Sequence, residues 1–77
     1  MDRARLERFL REAQDRVAQG EEHIRQQREL IAELERDGHN TFVARELLAT
    51  FEEIQKLHVT GRDRLAKELE DPAYRGE

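Results

Sequence analysis

Asp37-Gly38-His39-Asn40-Thr41 is the cluster of turn-forming residues in the middle of the chain, and its reading decides the fold. On either side lie long runs of Leu, Ala, Glu, Arg and Gln, residues that lose little side-chain freedom in a helix. The cluster predicts a break between two helices. Gly38 suits the left-handed position just past a helix end, where a Cβ would be strained. Asn40 or Thr41 can each accept from the first free amides of the next helix. Asp2 is a candidate N-cap, so the first helix is expected over about 3–37. Pro72 cannot continue a helix, which puts the second at about 41–70 and leaves 72–77 as a frayed tail. Residues 1–77 thus read as a single all-α domain, an antiparallel two-helix hairpin.

The apolar spacing says which sides of the helices are covered. Leu6, Leu10, Ala13, Val17, Gly20, Ile24, Gln27, Ile31 and Leu34 follow an unbroken alternation of four- and three-residue steps, a heptad seam. In the second helix the same alternation runs through Ala44, Leu47, Phe51, Ile54, His58, Gly61 and Leu65. Phe9, His23 and Leu30 widen the first stripe, and Leu48, Leu57 and Leu69 the second. Both faces are broader than one antiparallel contact can hide. Self-association covers the remainder, and two hairpins then pack as a four-helix bundle. Leu10, Val17, Ile24, Ile31, Leu47, Phe51, Ile54 and Leu65 are the residues expected to carry core and dimer seam. Gln27, among isoleucines, could hydrogen-bond across the bundle and fix register or chain number.

Size and composition point the same way. A chain of 77 residues seldom draws more than ~3–5 kcal/mol from a single core without a disulfide, a metal or a partner chain. Cysteine is absent, so disulfides and thiolate ligands are excluded. Charged residues are 42% of the chain and crowd its first sixteen positions, which no secretory or membrane-spanning segment tolerates. A cytoplasmic location is expected. A net charge of −4 repels phosphate backbones and anionic lipid. Nucleic acid and membrane are therefore disfavoured as partners. Nothing resembles a phosphate-cradling loop, a nucleophile beside a base, or a paired-carboxylate acid site, so no enzymatic activity is expected.

If the turn is centred near residue 40, the hairpin pairs residues whose numbers sum to about 81. Leu34 is then level with Leu47, Leu30 with Phe51, His23 with His58, and Gly20 with Gly61. A glycine inside a helix costs ~0.8–1 kcal/mol relative to alanine, so two at one level need a cause. The plain cause is packing: Gly20 and Gly61 allow close backbone approach or leave room for a large residue of the other chain, with the imidazoles satisfied by each other or by a neighbouring glutamate at the edge of the core. The alternative is a metal- or haem-binding bundle in which His23 and His58 present imidazoles and the glycines make the space. Against it, the Glu-x-x-His repeat of di-iron bundles is missing: Gln55 precedes His58 by three and Gly20 precedes His23 by three. A third reading makes two buried imidazoles an acid-sensitive layer. No cofactor is expected on the plain reading.

Gly20-Glu-Glu-His23-Ile24-Arg-Gln-Gln-Arg28, Ile31-Ala-Glu-Leu34, the turn pentapeptide, Ala44-Arg-Glu-Leu47-Leu48-Ala-Thr-Phe51 and His58 to Arg64-Leu65 together resemble a group of short proteobacterial helical proteins, over about 17–69. The group carries no known activity to transfer. In architecture alone the chain resembles the plasmid copy-control hairpin Rop, whose dimer is a four-helix bundle that binds paired RNA loops. That resemblance implies a dimer and, as a further alternative, an RNA-binding regulator. Arg25, Arg28, Arg36, Arg45, Arg62 and Arg64 are interleaved with carboxylates, which favours a solvated face over an RNA grip. The expected role is a non-enzymatic interaction, scaffold or small regulatory module, with a second copy or another protein as partner.

Overall fold

The computed structural model describes residues 2–71, and these form two helices, α1 (Arg3–Arg36) and α2 (Phe42–Glu70). The tail expected to fray at 72–77 lies outside the described residues. Asp2 caps α1 as expected, its carboxylate accepting from the Arg5 amide at 2.9 Å. At the other end Gly38 takes φ +73°. The His39 amide donates to the Leu34 carbonyl at 2.8 Å and the Gly38 amide to that of Glu35 at 3.1 Å. This is a Schellman ending, and it stops α1 one residue before the expected boundary. Asn40 accepts from the Phe42 amide through its side-chain oxygen at 2.8 Å, so the first free donor of α2 is satisfied from the turn. Thr41 precedes α2 and makes no side-chain cap; its hydroxyl accepts from the Arg45 guanidinium at 3.0 Å instead.

The hairpin is a rod of 61 × 14 × 14 Å. Among the described residues the buried ones are Leu6, Ala13, Val17, Gln27 and Ile31, all on α1. Leu10, Ile24, Phe51 and Leu65 are half-buried, while Leu47 and Ile54 are exposed.

The register differs from the one expected. Gly20 lies against Gln55, and the ring of His23 against that of Phe51 with centroids 6.0 Å apart. These partners stand six and seven positions earlier in α2 than the expected Gly61 and His58. The connection explains the shift. Gly38 reverses the chain and residues 39–41 belong to neither helix. Non-helical chain climbs up to about 3.3 Å per residue against 1.5 Å in a helix, so α2 starts further along α1 than a residue count allows.

The Asp2 cap has a pH signature. Its hydrogen bond from the Arg5 amide holds the carboxyl below its ordinary value of 3.8. A carboxylate lowered on folding contributes stability above its unfolded value and loses it as pH falls through the folded one. Carboxyl NMR should therefore titrate Asp2 with a midpoint below 3.8, and Arg5 amide protection should vanish over the same range. A midpoint at or above the ordinary value would mean that the cap does not form.

Candidate functional site

One polar arrangement between the described helices is built around Gly20. The Gln55 side chain crosses from α2 and its Nε2 donates to the Val17 carbonyl at 2.8 Å. Only the NH2 end can bond a carbonyl, so the amide oxygen is turned onto Gly20. A Cβ at Gly20 would stand 1.8 Å from that oxygen and 2.7 Å from the amide carbon. Glycine leaves open the space that the Gln55 amide takes up, and the oxygen rests on the Cα–H. The Gln55 Oε1 is buried without an N–H or O–H donor. From the opposite direction, buried Gln27 donates through Nε2 to the Ala44 carbonyl at 2.8 Å. Each helix thus sends one amide to the backbone of the other. Gln27 fixes register within the chain.

Gly61, expected to share a close-approach layer with Gly20, has nothing within 4 Å of a Cβ built on it. The shifted register pairs Gly20 with a side chain and leaves Gly61 facing solvent. His23 and His58 do line one cleft, together with Arg16, Gln19, Gly20, Phe51, Ile54 and Gln55. His23 is nevertheless exposed and only His58 is half-buried, so the hairpin does not bury an imidazole pair. His58 Nδ1 is enclosed and has no hydrogen-bond partner. The cleft measures about 160 Å³, below the ~300–1,000 Å³ of ordinary small-molecule sites, and haem is larger than most such ligands. Among the described residues no group of three or more His, Asp or Glu side chains is gathered that could hold a metal ion. Structural zinc takes four protein ligands and catalytic zinc three.

The hairpin has unlike sides. Next to this cleft a shallower one is lined by His23, Gln26, Gln27, Leu30 and Phe51, and Leu30, Leu47 and Ile54 stay exposed. The other side carries ion pairs. Arg28 reaches Glu52 across the helices at 3.4 Å, while Arg25 holds both Glu22 and Glu29. Arg25 keeps the Glu22 carboxyl below its usual range through their hydrogen bond, and Glu22 raises the guanidinium in return. Near the turn Arg45 pairs with Glu35. Glu52 is taken by Arg28, and Lys56 turns to Glu53 at 3.6 Å. Among the described residues no helix is long and apolar enough to cross a membrane.

Gln55 is the residue that sequence reasoning missed. It shares the seven-residue spacing of Leu48 and the side of α2 that carries Ala44, which is the signal that could have placed it at the contact. Compared with family models, curated proteins and solved structures, the chain matches none. What is shown is a helical hairpin.

The amide lock makes an inverted prediction. Gly20→Ala should destabilise the hairpin by about 1 kcal/mol, because displacing a bonded buried amide costs more than the helix propensity gained. With Gln55→Ala already present, the same change should stabilise it by ~0.8–1 kcal/mol. Urea melts of the four chains at one concentration read the two signs. Equal signs would dismiss the lock.

Proposed function

We propose that the chain is a non-enzymatic interaction module that acts as a homodimer, two hairpins closing into a Rop-like four-helix bundle. The observation that carries this reading is the bare apolar face. Leu30, Leu47 and Ile54 are exposed by 42–43%, and Val43 and Leu57 by 74% and 73%. Such residues on one side of a hairpin mark a contact surface rather than scattered surface leucines. The area agrees. The chain exposes 5890 Å², whereas a compact 9.2 kDa chain exposes about 4,900 Å². The surplus of roughly 1,000 Å² is the size of one partner's share in a standard interface, about 800 Å².

A second copy is the partner this chain itself supplies, and it meets the need for more core in a sequence without cysteine. Closing the apolar faces leaves the charged sides outward, where a scaffold or small regulator would meet another protein. The pairing of Arg25, Arg28 and Arg45 with carboxylates supports a protein-facing exterior over an RNA-binding one.

Sedimentation equilibrium should return twice 9.2 kDa at micromolar concentration. Leu47→Asp and Ile54→Asp should each shift the protein to monomer, since a charge would be buried in the seam. Native-like helical circular dichroism in these monomers is expected, because both positions are exposed in the hairpin. A wild-type protein that sediments at the single-chain mass would remove the reading.

A further inference from the structure

Resting on the homodimer proposed above, we infer that its seam is made by α2 packing antiparallel on the α2 of the second copy, about a two-fold axis level with Glu52. The inference starts from Gly61. A glycine inside a helix is unfavourable relative to alanine, and nothing in its own chain approaches it. Its place in the sequence supplies a cause. Val43, Leu47, Thr50, Ile54, Leu57 and Gly61 follow an unbroken alternation of four and three, the repeat of a helix seam. All six are exposed in the hairpin, so this second stripe lies beside the contact with α1 and remains uncovered.

The stripe is self-complementary in one direction. Residues 43 and 61, 47 and 57, and 50 and 54 each have their midpoint at 52. Two antiparallel copies therefore set Val43 over the partner's Gly61, Leu47 against the partner's Leu57, and Thr50 beside the partner's Ile54. The open surface at Gly61 receives a β-branched side chain, and leucine meets leucine. A parallel pairing would instead put glycine over glycine and leave a void at that layer. Glu53, which flanks the axis and approaches its own mate, is already paired with Lys56 at 3.6 Å. An axis of this kind makes the contact isologous, as closed dimers require.

The chain has no cysteine, so engineered ones report without interference. Treated with a copper–phenanthroline oxidant, which takes the two electrons while the two thiol protons go to solvent, the double variant Leu47→Cys with Leu57→Cys should form a covalent dimer, the thiol introduced by the first change bonding the thiol introduced by the second on the partner chain. The two positions are about 15 Å apart along one helix, too far to bond within a chain. Either single variant should run as a monomer on a non-reducing denaturing gel, because its own mate is equally distant. Gly61→Leu should weaken dimerisation more than tenfold by sedimentation while circular dichroism keeps its helical intensity. Single variants that cross-link as readily as the double one would replace this seam by a parallel one and leave the homodimer standing. Unchanged association in Gly61→Leu would likewise overturn the seam alone. A wild-type chain that is monomeric would overturn seam and homodimer together.

Discussion

Two glutamine side chains, each bonded to the backbone of the opposite helix, set how this hairpin is registered. Gln55 reaches the Val17 carbonyl and lies on Gly20, and Gln27 reaches the Ala44 carbonyl. Apolar contacts tolerate sliding because one leucine replaces another at little cost. A buried amide does not, since leaving it without a partner costs ~1–3 kcal/mol. A slip of one turn would orphan both amides and drive the Gln55 carboxamide against a residue that has a Cβ.

Register then decides which apolar side chains the hairpin can hide. With Gly20 against Gln55, the buried core runs along α1 through Leu6, Ala13, Val17 and Ile31, and α2 contributes half-buried residues such as Phe51 and Leu65. Val43, Leu47, Ile54 and Leu57 of α2 stay exposed and share one stripe beside this contact. A rod 14 Å thick has no interior deep enough to take these residues. They stay exposed in the single hairpin, and the position of the bare stripe follows from its register.

The break at Asp37–Thr41, the left-handed Gly38, the Asp2 cap and both helices could be read from sequence to within a residue, because each depends on local backbone chemistry. The level of one helix against the other could not. It depends on the levels that the three residues after Gly38 can span and on the glutamine contacts that select among them, neither of which residue types state. The error moved Gly61 out of the expected layer and brought Gln55 into it. His23 and His58 still reached one cleft, because that cleft extends over more than a helical turn on each side. Gln55 shares its side of α2 with Ala44 and Leu48, but its residue type alone does not mark a contact. Its role appears only when a glycine on the facing helix leaves room for its amide.

The register is open to direct observation in solution by nuclear Overhauser spectroscopy on isotope-labelled protein. The side-chain amide protons of Gln55 should show cross-peaks to the α-protons of Gly20, and the Phe51 ring to the His23 ring. Cross-peaks joining the α-protons of Gly20 to those of Gly61, without any from Gln55, would contradict the account.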